Sequence, residues 1–457
     1  MRRFHSVIST CIMFFTVLIA VSCDKDYLDG DKDTEKSYQI IEGSEDIYSL
    51  KEIGNIISEI SCGIITKDLI ELTRDLGILD EDQYKAVISL FTDKNQFGTC
   101  VMKYRSTDVE GKAVWLTGRL VYNVDENGDI IQPDHILLSC HYTQTNNREV
   151  PSQMLGLDGI LATHGAMVIA PDYLGYGIPG EGDVLDHPYC VPSITAVHCL
   201  DMVRAAKEYL SSMAMETDAL KLYNLGYSQG GISSLAVARY IQEHNLQSEF
   251  NLTNTFCGAG PYSIKSMQEV YVQRDSISYP VVYPLMMIGL KTAFPDIITA
   301  EIDDYFTQKA VDNGIIERVK DKDTFIFALN DEILEALKEE DSQDDYIKTS
   351  SIVSEDAFGP GRPLYEQISK AAEKCEMASG WNPETPVHFV HGRNDDIVPY
   401  FNFELAEKGL RNNYTFFETY DIPLLQSHAA NAGLFFIWTF LGEYKKIYDS
   451  DGNIITE

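Results

Sequence analysis

The chain has 457 residues, and its 70 acidic against 36 basic side chains give a net charge of −34. This charge disfavours nucleic-acid partners, because binding to phosphates needs a positive surface. Since 44% of the residues are apolar, the chain can bury a large core, which excludes global disorder. The length fits two or three domains, or one large α/β domain that carries an insertion.

The N-terminus has the pattern of a secretion signal. Met1, Arg2 and Arg3 form a basic start, and residues 7–21 are almost wholly apolar. At ~1.5 Å per residue this run covers about 22 Å, less than the ~30 Å core of a bilayer. We therefore predict a signal peptide over residues 1–22 rather than a membrane span.

Cys23 follows this signal directly. The segment LIAVSC that ends at Cys23 resembles the lipobox of bacterial lipoproteins, in which the cysteine is lipidated, although Ala20 stands where leucine is usual. The alternative is an ordinary secretory signal with an incidental cysteine. Residues 23–45 are acidic and polar, which predicts a flexible tether similar to the export signals of some Gram-negative surface lipoproteins. We expect a cell-envelope protein, at the outer membrane or cell surface, that contacts the membrane through a lipid on Cys23.

The rest of the chain alternates between strands and helices. Residues 46–92 have apolar residues at helical spacing and predict N-terminal helices. Eight further apolar runs predict strands, at 100–105, 114–121, 136–139, 165–170, 220–225, 256–259, 387–390 and 416–420. Helical patterns at 193–210 and 232–242 separate some of these runs. This alternation predicts a mostly parallel sheet that is covered on both faces by helices.

Residues 268–386 interrupt the alternation with acidic, helix-favouring segments. We interpret them as a helical cap inserted into one α/β core, whose first part spans residues 46–267 and whose remainder spans 387–457. The sequence contains no CxxC or HExxH motif and no histidine cluster, so no metal is expected. Cys100, Cys140 and Cys257 lie in apolar runs and are expected to be free, buried thiols.

The first candidate catalytic residue is Ser228. It is the serine of a G-x-S-x-G motif that follows a strand pattern and precedes a helix pattern. In such a strand–turn–helix arrangement the serine occupies a strained turn, and Gly226 and Gly230 allow the strand and the helix to approach each other closely. The backbone N–H of Gln229, at the helix N-terminus, would then face a developing oxyanion.

Two later positions supply candidates for the partners of this serine. Asp395 follows the strand pattern at 387–390 within H-G-x-x-D-x-x-V-P, with Asp396 as a competing neighbour. His391 belongs to the same motif and is expected to shape the turn. His428 is the only histidine after Asp395, and it precedes an apolar helix pattern. The order serine, aspartate, histidine is that of α/β-hydrolases, so Ser228, Asp395 and His428 are predicted to be nucleophile, orienting acid and general base.

The second oxyanion donor is expected from the loop after the strand pattern at 136–139. A backbone N–H supplies this contact in such sites, so its side chain is free to vary. Tyr142 and Thr143 are the two candidates, and the sequence does not choose between them.

Three segments together resemble the α/β-hydrolase superfamily and, within it, the secretory lipase and esterase group. They are residues 170–177 (APDYLGYG), 187–189 (HPY) and 226–231 (GYSQGG), and the resemblance covers roughly residues 99–267 and 387–445. It implies the α/β-hydrolase fold, a helical cap before the strand that carries the acid, and acyl transfer to water without a cofactor.

The expected function is hydrolysis of a carboxylic ester of a small molecule, glycan or lipid through an acyl-enzyme. Two alternatives remain open at this level. One is a peptidase of the prolyl-oligopeptidase kind, which the absence of an N-terminal run of repeats makes less attractive. The other is a non-catalytic, glycan-binding surface lipoprotein, to which the acidic tether and the 26 tyrosines are suited.

Overall fold

The computed structural model describes residues 36–49, 52, 74, 80–81, 84–85, 96–180, 182–339, 342, 344–420, 427–441, 444, 447–448 and 454–456. The predicted signal peptide, Cys23 and residues 24–35 of the predicted tether lie outside these residues, and so does most of the helical region predicted over 46–92.

A ten-stranded sheet forms the centre of the molecule. Its strands in chain order are β1 (Tyr38–Ile40), β2 (Asp46–Ser49), β3 (Gln96–Thr107), β4 (Ala113–Asn123), β5 (His135–Cys140), β6 (Ala166–Pro171), β7 (Lys221–Tyr227), β8 (Leu252–Gly258), β9 (Val387–Gly392) and β10 (Thr415–Tyr420). Their order across the sheet is β1-β3-β4-β6-β5-β7-β8-β9-β10, and β2 also pairs with β3. The six strands β5–β10 are parallel to one another, whereas β1–β4 are antiparallel to their neighbours.

The eight predicted strands correspond to β3–β10, with bounds shifted by a few residues. Every residue of β5 and β6 is buried. Strands that are covered on both faces need such continuous apolar runs, which is why the sequence indicated a parallel sheet. The predicted α/β-hydrolase type of architecture, a mostly parallel sheet between helices, is confirmed.

The described residues also form helices, several of which contact the sheet. They are α1 (Pro192–Ser212), α2 (Gln229–Glu243), α3 (Gln247–Phe250), α4 (Ile264–Gln273), α5 (Val282–Ala293), α6 (Gln308–Asp312), α7 (Ile315–Lys320), α8 (Ile326–Leu337), α9 (Pro363–Glu373), α10 (Phe401–Leu410) and α11 (His428–Phe440). Short 3₁₀ turns lie at Leu157–His164, Ile302–Tyr305, Thr349–Ser351 and Glu355–Ala357. None of the helices in the described residues is long and apolar enough to cross a membrane.

The start of the described chain differs from the prediction. Residues 36–45 were expected to be tether, but β1 pairs with β3 and the Tyr38 hydroxyl donates to Ser212 Oγ at 3.0 Å. Residues 46–49 were expected to be helical, but they form β2, which also pairs with β3. Both corrections have one reason: the long strand β3 offers an edge whose backbone groups gain partners when the preceding chain pairs with it.

The chain between β8 and β9 is mainly helical and contains α4–α9. It also holds a small antiparallel pair, Ser276–Ile277 with Ile347–Lys348, which the sequence did not indicate. The predicted boundary at residue 268 falls inside α4, so a division of the chain at that point would cut a continuous helix.

Six cysteines within the described residues are free and buried. They are Cys100, Cys140, Cys190, Cys199, Cys257 and Cys375. The set includes the three that were predicted to be buried thiols.

Candidate active site

Ser228 lies on a sharp turn between β7 and α2. Its backbone angles are φ 58° and ψ −120°, in the left-handed half of the map that residues with a side chain rarely occupy. Its N–H donates to the Gly258 carbonyl at 2.8 Å, and its own carbonyl accepts the Gly231 N–H at 2.8 Å. The turn is therefore held from β8 on one side and from α2 on the other.

The glycines around Ser228 are required by space. A Cβ atom on Gly226 would lie 2.2 Å from the Gly230 carbonyl oxygen, and one on Gly230 would lie 2.0 Å from the Cys140 carbonyl oxygen. Both clashes involve backbone, which cannot rotate away as a side chain can. This is the close approach of strand and helix that the motif indicated.

Asp395 and His428 are hydrogen-bonded to each other. Asp395 Oδ2 lies 2.7 Å from His428 Nδ1, and the Asp395 side chain is fully buried. Asp395 Oδ1 accepts the N–H groups of Ile397 at 3.0 Å and Val398 at 2.8 Å. Because a carboxylate can only accept, His428 Nδ1 carries the proton in this contact and Nε2 keeps its lone pair.

The neighbouring carboxylate has a different contact. Asp396 Oδ1 accepts the backbone N–H of His428 at 2.8 Å, at the start of α11. An acidic side chain at this position satisfies an unpaired helical N–H and complements the helix dipole. The two adjacent acids therefore hold the His428 ring and the His428 backbone, respectively.

His391, the other histidine of this motif, is buried beside the pair. One of its ring nitrogens, Nε2, lies 2.8 Å from the Val398 carbonyl, and burial lowers the pKa of the ring. The contact joins the two ends of the turn 391–398, as expected of a residue that shapes this turn.

An apolar cavity of about 410 Å³ joins the candidate residues. Ser228 and His428 both lie in its wall, together with Tyr142 and Thr143. Much of the remaining wall is apolar and comes from the chain between β8 and β9, including Met286, Met287, Leu290, Phe306, Phe325 and Ile326. The volume is in the range of about 300–1,000 Å³ that is usual for sites of small molecules.

The model of the secretory lipase family matches residues 143–430, a span that contains Ser228, Asp395 and His428. The chain belongs to the secretory lipase family. No curated protein matches the chain.

Solved structures resemble the fold of this chain at low sequence identity. The rice cell wall degrading esterase LipA from Xanthomonas oryzae is 20% identical with a TM-score of 0.59, and the match covers 79% of this chain and 92% of LipA. A protein from Legionella pneumophila is 20% identical with a TM-score of 0.60, and the match covers 89% of this chain and 96% of that protein. Candida antarctica lipase A is 17% identical with a TM-score of 0.54, covering 79% and 82%. These likenesses establish the α/β-hydrolase fold.

Gln229 has the position that was predicted for an oxyanion donor. It begins α2, and its backbone N–H has no backbone partner among the described residues. Its side-chain Nε2 lies 2.7 Å from His187 Nε2, while His187 Nδ1 lies 2.7 Å from the Leu174 carbonyl. Because that carbonyl can only accept, Nδ1 donates to it and His187 Nε2 accepts from the Gln229 amide. The buried His187, whose pKa burial lowers to about 3, therefore anchors the Gln229 side chain.

The second oxyanion donor remains a choice between Tyr142 and Thr143, since both line the cavity. Thr143 Oγ1 lies 2.8 Å from the Tyr189 hydroxyl, and the Thr143 N–H has no backbone partner in the described part of the chain. His141 lies behind this loop, stacked on Tyr173 with a distance of 3.9 Å between the ring centres.

Two residues of the cavity wall were missed by sequence reasoning. Glu149 lies in the loop after β5, and Gln268 lies on α4. Neither belongs to a motif, so nothing in the sequence marks them as neighbours of Ser228. The described residues also contain no cluster of three or more histidine, cysteine or acidic side chains that is able to hold a metal.

Proposed function

We propose that this protein is a serine hydrolase that cleaves carboxylic esters. One observation carries the proposal: Ser228 and His428 open into one apolar cavity, and Asp395 is hydrogen-bonded to the far side of the His428 ring at 2.7 Å. Family membership supports ester hydrolysis and makes a peptidase or a purely glycan-binding protein the weaker interpretation.

In the proposed reaction Ser228 Oγ forms a bond to the ester carbonyl carbon while His428 Nε2 takes the hydroxyl proton. The resulting tetrahedral intermediate expels the alcohol, which receives that proton from His428, and an acyl-enzyme remains. A water molecule then attacks the acyl carbon, with the same transfer of a proton through His428, and releases the acid. Asp395 orients His428 and stabilises its protonated ring.

The negative charge of the intermediate needs donors that are already in place. We infer that the backbone N–H of Gln229 supplies one, at the N-terminus of α2, and that the N–H of Tyr142 or Thr143 supplies the other. The contact between His187 and Gln229 supports this arrangement, because it holds the first turn of α2 in place.

The cavity wall supports an ester with a hydrocarbon part. The insertion between β8 and β9 supplies much of this wall, and we infer that it acts as a cap that selects the substrate. LipA is described as degrading the rice cell wall and the Candida protein as a lipase. A short-chain ester, a lipid ester and an ester of a cell-wall component are therefore the classes to test first.

We also propose that the mature protein is an envelope lipoprotein held by a lipid on Cys23, which follows a predicted signal peptide. The family description as secretory supports export of the chain.

The mechanism is tested with p-nitrophenyl esters and a fluorophosphonate probe. Ser228→Ala is expected to abolish both hydrolysis and labelling, whereas the control Ser212→Ala, on α1, leaves both intact. Hydrolysis by folded Ser228→Ala at the rate of the unaltered protein would refute the assignment of the nucleophile.

A further inference from the structure

Two residues of the cavity wall each have a buried side-chain oxygen that has no hydrogen-bond partner among the described residues. These oxygens are Glu149 Oε2 and Gln268 Oε1. Buried polar atoms without partners are rare in folded proteins, because each loses its contacts with water. In an apolar cavity a few such groups fix the orientation of a ligand.

Glu149 is held by its own loop. Its backbone N–H donates to the Asn146 carbonyl at 3.0 Å, and Gln144 Nε2 donates to the Glu149 carbonyl oxygen at 2.7 Å. No ion pair of the described residues involves Glu149. Burial raises the pKa of its carboxyl group to about 8, so the group is a neutral acid at pH 7 and carries an O–H that can donate.

This loop is also fixed to the chain between β8 and β9. Thr145 Oγ1 donates to the Thr324 carbonyl at 2.7 Å, and Asn146 Nδ2 donates to the Asp323 carbonyl at 2.8 Å. Phe325 and Ile326, which follow these carbonyls, line the cavity. The Glu149 carboxyl group is therefore placed before a substrate enters, and its ordering requires no loop closure.

Gln268 offers the opposite hydrogen-bonding function. Its Nε2 donates to the Tyr365 carbonyl at 3.1 Å, which fixes the orientation of the amide and leaves Oε1 as an acceptor. The cavity wall thus contains one buried donor, the Glu149 acid, and one buried acceptor, the Gln268 carbonyl. A hydroxyl group can satisfy either, because it both accepts and donates.

We propose that Glu149 and Gln268 select esters that carry a hydroxyl group in addition to the ester that reacts. The inference rests on the proposed function, since it concerns the substrate of the same cavity. A hydroxylated substrate pairs a buried group that a plain hydrocarbon leaves unpaired, so the plain ester is the poorer substrate. An anionic substrate is disfavoured, because the described cavity wall contains no lysine or arginine to pair with it.

Two matched pairs of substrates locate the hydroxyl. The first pair, p-nitrophenyl octanoate and p-nitrophenyl ω-hydroxyoctanoate, differs by a hydroxyl group on the acyl chain. The second pair, butyl octanoate and the mono-octanoate of butanediol, differs by a hydroxyl group on the alcohol. The measured quantity is the ratio of kcat/KM for the hydroxylated ester to that for the plain ester. We expect a ratio of about 2–10 for one of the pairs, the value of one neutral hydrogen bond.

Substitutions then assign the effect. Glu149→Leu or Gln268→Leu is expected to reduce the ratio to near one, whereas Glu149→Gln keeps a donor and an acceptor and preserves most of it. The control Gln308→Leu, on the exposed side of α6, leaves the ratio unchanged. Because both esters of a pair are measured on the same sample, a reduced folded fraction cancels.

The outcomes separate this inference from the function on which it rests. Ratios near one in the unaltered protein for both pairs, or a ratio that neither leucine variant changes, would overturn the selection of hydroxylated esters while ester hydrolysis stands. Failure of the unaltered protein to hydrolyse any of the four esters would instead count against the proposed function.

Discussion

Glu149→Gln is expected to change how the stability of this protein depends on pH. Burial raises the pKa of the Glu149 carboxyl group from 4.5 to about 8. Between these values the folded protein keeps a proton that the unfolded chain has already released. The contribution of Glu149 to stability is therefore full below pH 4.5 and declines as the pH rises towards 8. Glutamine does not titrate, so the variant lacks this decline.

The size of the effect follows from the two pKa values. Their difference sets an upper bound of about 5 kcal/mol at ~1.4 kcal/mol per pH unit. Between about pH 5.5 and about pH 8 the bound is about 3 kcal/mol. Relaxation around the charged group reduces the measured part, and we expect about 2 kcal/mol. Over this range the stability of Glu149→Gln should therefore rise relative to that of the unaltered protein.

Urea unfolding at a series of pH values measures this difference, since urea adds no ionic strength. The pH series should start above the sequence pI of about 4.5, because a protein with no net charge is prone to associate. Self-repulsion of a chain with a net charge of −34 grows with pH in both proteins and cancels in the comparison. Glu126→Gln, an exposed site in a turn, is the control and should show no pH-dependent difference. Parallel curves for the unaltered protein and Glu149→Gln would refute a neutral acid in the cavity.

Two further predictions concern the remaining proposals. Asp395→Asn is expected to lower kcat by about 10³–10⁴-fold, because an amide favours the wrong tautomer of His428. Asp396→Asn keeps an acceptor for the backbone N–H of His428, so its kcat should fall by less than about 10-fold. Equal losses of kcat for the two variants in steady-state assays would contradict this division of roles. Cys23→Ser is expected to move the exported protein from the membrane fraction to the soluble fraction and to prevent incorporation of labelled fatty acid. The control Cys11→Ser should leave both unchanged. If Cys23→Ser left the protein in the membrane fraction, a lipid anchor on Cys23 would be contradicted.

Much of the architecture could be predicted because its signals are local. A buried parallel strand needs a continuous apolar run, and β5–β9 each carry one that is bounded by turn residues. The turn at Ser228 was recognisable for a similar reason, since Gly226 and Gly230 stand where any side chain would meet backbone. The strands β1 and β2 could not be predicted, because each pairs with residues of β3 that lie far along the chain, as Tyr38 does with Tyr104 and Asp46 with Thr99.

The sequence by itself determined the family resemblance, the order of Ser228, Asp395 and His428, and the alternation of strands and helices. Each was recognisable from short motifs or apolar runs whose own residues lie within a few positions of one another. Only the tertiary structure decided that Asp395 holds the His428 ring while Asp396 holds its backbone, and that Glu149 and Gln268 lie in the same cavity wall as Ser228. These relations join separate segments of the chain: the Asp–His contacts join the turn after β9 to the start of α11, and Glu149 and Gln268 come from the loop after β5 and from α4, so only the folded chain brings them together.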